Sequence, residues 1–204
     1  AWRSRLRVLN ADESISCVTI FKNSGAAAGA SLEHVHSQIL ATPLVTPGLQ
    51  RRVEAARTFF QQHDQTAIEW CHKSEREFGR RIVIESDFFV VHCPFASRYP
   101  AEMQIAPRDP AADFSEASDV MLADLAQVLR DALTRLNTVF PGAAFNYILH
   151  TSPTTSEATT GFHWHIEILP RLTGLAGFEL GSGMHINITA PEDAAARLRA
   201  VVCE

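Results

Sequence analysis

Three short apolar runs follow one another in the middle of this chain: RIVIE at 81–85, FFVVHCP at 88–94 and EMQIAP at 102–107. Each is too short for a stable helix and is bounded by turn-like or proline-bearing pieces, so each reads as a β-strand. Connections this short make consecutive strands antiparallel. Two further runs read the same way, AFNYILH at 144–150 and FHWHIEILP at 162–170. Side chains alternate along a strand, so His163, His165, Glu167 and Leu169 fall on one face and Trp164, Ile166 and Ile168 on the other. Nearer the start, SCVTIF (16–21) reads as a buried strand ending at the turn formers Asn23 and Gly25, and QILAT (38–42) as a strand stopped by Pro43. Strand-like sequence is expected almost from the first residue.

Helical periodicity is confined to a few places. From Pro47, Leu49, Val53, Ala56 and Phe60 recur at helical spacing with arginines and glutamines on the other side. A second long helix is expected to begin near Ser115 as its N-cap, with Met121, Leu125, Val128, Leu129, Ala132 and Leu136 on one stripe and Phe140-Pro141-Gly142 ending it. Thr189-Ala190-Pro191-Glu192 resembles a capping box that opens a closing helix to about Val202. Strands grouped with two or three helices, without a regular strand–helix–strand alternation, make the fold class α+β. No short repeat is evident.

Composition narrows the partners. The 204 residues suffice for one generous domain or a large part of a two-lobed one, and 46% hydrophobic content supports a packed core. A net charge of -5 with a pI near 6.0 argues against nucleic acid or an anionic membrane as the main partner. No apolar run is long enough to span a bilayer. Cys17, Cys71, Cys93 and Cys203 are scattered without a CxxC pair, which fits a reducing compartment and a cytoplasmic location. The chain opens on Ala1-Trp2-Arg3 without an initiator methionine, so an N-terminal truncation is expected.

The chemistry concentrates in GASLEHVHSQ, residues 29–38. In a strand His34 and His36 would share a face and could address one site. Such a pair can bind a metal, can divide into a ligand and a nucleophile, or can be two surface imidazoles. Asn23, Gly25, Gly29 and Ser31 form a loop of small residues whose N–H groups can converge on anionic oxygens, and Gln38 adds amide donors two residues on. A small-residue cradle, an imidazole and an amide donor suit phosphoryl transfer, because an imidazole can attack phosphorus and its adduct stays labile.

The stretch FKNSGAAAGASLEHVHSQILATP resembles the active-site segment of the galactose-1-phosphate uridylyltransferase family, a branch of the histidine-triad superfamily. FNYILHTSP, HWHIEILPRLTGLAGFELGSG and INITAPEDAAARLR resemble the rest of that family's C-terminal half in order and spacing. FNYILHTSP and the serine of HVHSQ are also similar to an ADP-glucose phosphorylase-like branch. The resemblance implies a histidine-triad-like antiparallel sheet with flanking helices, in an N-terminally truncated two-lobed chain. Residues 1–45 would end the first lobe and 46–204 would form the second.

By position the resemblance makes His36 the nucleophile that takes UMP from UDP-glucose and passes it to a hexose 1-phosphate such as galactose 1-phosphate, with Gln38 bonding the phosphoryl oxygens. Asn23, Gly29 and Ser31 would contact the nucleotide's phosphates and ribose. Phe178 and Glu179 would contact the hexose, from a loop that serves the neighbouring subunit, which implies a homodimer. His34 matches a zinc ligand whose partners lie upstream, so this first zinc site is incomplete here; one imidazole cannot close a tetrahedral site. The alternatives are an adenylyltransferase acting on ADP-glucose and a non-catalytic nucleotide-binding relative.

His163 and His165 form a second i, i+2 pair, and His150 ends the preceding strand. Three imidazoles suit zinc or iron, and they equally suit bracing the sheet through hydrogen bonds. The resemblance matches all three to metal ligands. The fourth ligand, a glutamate, falls near Arg52 by ungapped counting, with Glu54 two residues away. His63, His72, His92 and His185 are expected to be ordinary surface or half-buried residues, and Arg171 a solvated strand end.

Overall fold

The structure, a computed structural model, describes residues 1–32, 34–154 and 159–203. Among the described residues seven strands form one antiparallel sheet: β1 (Cys17–Ser24), β2 (Gln38–Thr42), β3 (Ile82–Glu85), β4 (Phe89–His92), β5 (Met103–Pro107), β6 (Phe145–His150) and β7 (His165–Pro170). Their spatial order is β2-β1-β6-β7-β5-β4-β3, with β6 and β7 in the interior and β2 at one edge. Helices α1 (Trp2–Asn10), α2 (Pro47–His63), α3 (Ala67–Phe78), α4 (Asp119–Val139), α5 (Gly177–Ser182) and α6 (Pro191–Arg199) flank it. The class is α+β, as the grouping of strands predicts.

The two faces of the sheet differ in chemistry. Val18 and Ile20, Tyr147 and Leu149, Ile166 and Ile168, Met103 and Ile105, and Phe89 and Val91 share one buried cluster with Leu6 of α1, Leu125, Val128, Ala132 and Leu136 of α4, and Ala194, Ala195 and Leu198 of α6. Burying each large aliphatic side chain in such a layer contributes about 1.5–3 kcal/mol. Trp164, fully buried, packs edge-on against Phe114 at 5.0 Å. Alternation sends His150, His165, Glu167 and His92 to the opposite face, where α2 and α3 cover them. Helix α2 and the 161–162 segment meet closely: a Cβ on Gly161 would lie 2.5 Å from Phe60 Cβ, and its φ of +73° is a second reason for glycine.

Four local expectations are corrected, and one helix is added to those expected. The N-terminal stretch is helical, because Trp2, Leu6 and Leu9 recur at helical spacing and dock on the core. The long helix is capped by Ser118, whose hydroxyl accepts from Met121 N, whereas Ser115 sits in a 3-10 turn and bonds Asp113. The closing helix starts at Pro191 after Ala190 without a side-chain cap, so the Thr189–Glu192 pairing does not form. Part of GLAGFELGSG is helical, as α5. Helix α3 is an additional element, amphipathic at helical spacing and opened by the Thr66 cap. Among the described residues no helix is long and apolar enough to cross a membrane.

Candidate active site

Strand β1 ends in a turn that only glycine permits. Gly25 has φ 83° and ψ 155°, and Gly29 is left-handed at φ 79°. A Cβ on Gly25 would also lie 2.8 Å from Ala144 Cβ. The 26–28 turn is pinned from behind by Asn146, whose Nδ2 donates to the Ala28 carbonyl at 2.9 Å and to Asn23 Oδ1 at 2.8 Å. Asn146 Oδ1 in turn accepts from Arg171 Nε at 2.7 Å, and the Arg171 guanidinium lies 4.8 Å over the Tyr99 ring. Arg171 is therefore committed to the loop's support and is not a solvated strand end. Asn146 lies in the FNYILHTSP stretch, but nothing in that stretch singles it out; it sits directly across the β1–β6 ladder from Asn23.

The 34–38 segment returns along β1, with Gln38 opposite Phe21 in register. His34 and His36 precede β2 and are not in a strand, although their rings still lie 5.2 Å apart. Ser37 anchors the segment to the core side, its hydroxyl 3.1 Å from Tyr147 OH. His36, half-buried, places Nδ1 2.9 Å from the carbonyl of His34. A carbonyl only accepts, so Nδ1 carries the proton and the neutral ring keeps its lone pair on Nε2. Ser31, His34 and Gln38 are exposed and Asn23 is half-buried. Phe178 and Glu179 lie on α5, where Glu179 Oε2 accepts from Ala176 N at 3.0 Å and Phe178 stays exposed.

On the α2–α3 face the second histidine group is brought together in part. His150, His165 and Glu167 offer ligand atoms that all lie within 4.8 Å of one another. Among the described residues His163 is outside this group, its Nδ1 3.1 Å from Thr66 Oγ1 and its Nε2 buried without a hydrogen bond. His165 repeats the local geometry of His36: its Nδ1 lies 2.9 Å from the carbonyl of His163. Glu167 is crowded with donors. Arg52 Nη2 reaches both its oxygens at 2.9 and 3.1 Å, and Arg98 Nη2 and His150 Nε2 each lie 3.0 Å from Oε2. Glu167, Arg52 and Arg98 carry this cluster; alternation puts Glu167 on the histidine face and counting points near Arg52, but no sequence signal marks Arg98 or their pairing.

Burial sets the protonation of this face. Desolvation pushes His165 down to about 3 and His163 to about 4, the latter against an opposing pull from Glu69 and the nearby Pro107 carbonyl. Burial would raise Glu167, but the His150 hydrogen bond and the Arg52 and Arg98 guanidiniums hold it well below the usual carboxylate range. His72 and His92 are buried too, with rings 5.6 Å apart, and desolvation takes them to about 3 and about 4. They are not the surface or half-buried residues expected.

A small-residue turn leading to an H-x-H whose second imidazole is held through Nδ1 is an arrangement that can accept an anionic group, and comparison with known proteins gives the chain a family. Residues 4–203 match the model of a domain of unknown function, DUF4921, and the chain belongs to that family of galactose-1-phosphate uridylyltransferase-like proteins. It is 35% identical over 203 residues to the ADP-glucose phosphorylase of Arabidopsis thaliana, covering 98% of this chain and 56% of the relative. It is 30% identical to the galactose-1-phosphate uridylyltransferase of Thermotoga maritima, covering 97% of this chain and 64% of the relative. The crystal structure of the Arabidopsis ADP-glucose phosphorylase with bound ADP-glucose superposes with a TM-score of 0.91 at 33% identity, covering 99% of this chain and 65% of that one. The chain thus spans less than two thirds of the length of these relatives.

Proposed function

We propose that the 23–38 segment is the nucleotidyl-transfer centre of an enzyme acting on nucleotide sugars through a covalent histidine adduct. The observation that carries this reading is the contact of His36 Nδ1 with the His34 carbonyl, which leaves Nε2 as the nucleophilic nitrogen. Nε2 attacks the α-phosphorus of a nucleoside diphosphate hexose. The bond from that phosphorus to the bridging oxygen breaks, and hexose 1-phosphate leaves with the electron pair. A phosphate oxygen of the acceptor then attacks the same phosphorus, and the P–N bond breaks with its electrons returning to the imidazole. The Gln38 amide donates to the phosphoryl oxygens as charge builds on them. Asn23, Gly29 and Ser31 hold the nucleotide's phosphates and ribose. Phe178 and Glu179 serve the hexose of a second copy's site in a homodimer, and His34 joins a structural zinc with ligands from the rest of the protein.

Two donors compete. The sequence resemblance favours UDP-glucose with galactose 1-phosphate as acceptor. The higher identity to an ADP-glucose phosphorylase supports ADP-glucose with phosphate as acceptor, and we take this as the leading form of the reaction. The test is to incubate the full-length protein with each donor radiolabelled in the α-phosphate. An acid-labile, base-stable nucleotidyl adduct formed from ADP-glucose and absent in His36→Asn is expected. An adduct from UDP-glucose alone would reverse the order of donors, and no adduct from either would leave a binding protein without turnover.

A further inference from the structure

His150, His165 and Glu167 present the donor chemistry of a zinc or iron site, two imidazoles and a carboxylate with ligand atoms within 4.8 Å. A cationic side chain already occupies their centre. Arg52 grips both oxygens of Glu167 at 2.9 and 3.1 Å, and its other terminal nitrogen lies 3.5 Å from His165 Nε2. Arg98 adds a second guanidinium 3.0 Å from Glu167 and is itself bonded to the buried Glu102 at 2.8 Å. His150 spends Nε2 on Glu167, and His165 spends Nδ1 on the His163 carbonyl.

The charges balance as they stand. Glu167 and Glu102 offset Arg52 and Arg98. A divalent ion entering beside them would leave two uncompensated positive charges around a carboxylate that is largely withdrawn from water. It would also have to take Glu167 from Arg52 and the His165 lone pair from the same side chain. The residues therefore do not fit a metal while Arg52 is in place.

We infer that the Arg52 guanidinium is the resident cation of this cluster: the chain closes its histidine–carboxylate centre with an arginine, and removing that side chain turns the centre into a transition-metal site. The inference does not depend on the transfer reaction, and metal content tests it independently. The full-length protein, wild type and Arg52→Ala, is equilibrated with zinc and desalted, and zinc per chain is measured; cobalt(II) absorption reports coordination by nitrogen and oxygen. Wild type is expected to hold no zinc that His150→Asn removes. Arg52→Ala is expected to gain about one equivalent, with visible cobalt bands, and to lose both in Arg52→Ala/His150→Asn. Zinc in the wild type that vanishes in His150→Asn or Glu167→Gln would overturn the inference. So would a folded Arg52→Ala, by circular dichroism, that gains none. Should Arg52→Ala fail to fold, Arg52→Gln, which keeps the stem and loses the charge, is measured in the same way: a gain of zinc supports the inference and no gain overturns it.

Discussion

His165 holds its ring as His36 does: in each, Nδ1 lies 2.9 Å from the carbonyl of the histidine two residues earlier. What differs is the other nitrogen. Nε2 of His165 meets Arg52 inside the sheet, whereas His36 stands ahead of an edge strand. His36→Ala should therefore lower kcat by several orders of magnitude and abolish the adduct, as removal of a covalent nucleophile does. His165→Ala should lower the unfolding midpoint while folded molecules still form the adduct. Equal loss of adduct in both variants would contradict the division of roles.

Gln38→Ala should cost about 10²-fold in kcat, the loss expected for one donor to a developing oxyanion, with a smaller change in KM. Steady-state kinetics with ADP-glucose and phosphate would read this. A mild effect confined to KM would remove Gln38 from the reacting centre.

Asn146→Ala strands the Ala28 carbonyl and Asn23 Oδ1 without their donor and leaves Arg171 without its acceptor. A loss of about 1–3 kcal/mol of stability is expected in urea titration. A fall in turnover should accompany it, because the turn before His36 is no longer held. Gly25→Ala should destabilise by a comparable amount through backbone strain and the clash with Ala144. If Gly25→Ala is neutral in both stability and turnover, the turn is not held as described.

Acid should unfold this protein in a defined window. His72, His92, His163 and His165 lie folded at about 3 to 4, below the usual 6.5, so the unfolded chain binds more protons as pH falls. Their neutral forms cost nothing above pH 6.5, and each then loses about 1 kcal/mol per pH unit until its folded value is reached. Glu167, held low, adds to the loss below its unfolded value near 4.5. Urea midpoints should stay flat from pH 8 to 7 and fall steeply from 6.5 to 4; a flat profile across that range would show the histidines are not buried neutral.

Most strands are legible in the sequence because alternation and turn residues are local signals, and β2 and β6 fall within a residue of their expected limits. The α3 helix does carry a readable mark, though a subtle one: Thr66 and Glu69 form a reciprocal capping box, with Glu69 N to Thr66 Oγ1 at 3.1 Å and Thr66 N to Glu69 Oε2 at 2.8 Å. The H-x-H-x-Q segment stands out by composition, but its hydrogen bond does not, because alternation suggests a strand where the chain is irregular. The Arg52–Glu167 and Arg171–Asn146 pairs lie beyond the reach of sequence. Arg52 and Glu167 are 115 residues apart, and only the β6–β7 pairing and the docking of α2 bring them together.

The position of β2 at the rim has a further consequence. Under the transfer reading proposed above, the imidazole of His36 would receive a nucleotide sugar and then an acceptor, which calls for an open approach and a firm footing at once. The rim supplies the approach, and the Ser37–Tyr147 contact supplies the footing by tying the neighbouring residue into the packed interior. Its counterpart in the middle of the sheet has the footing without the approach, so under that reading one two-histidine device would serve as reagent and the other as masonry.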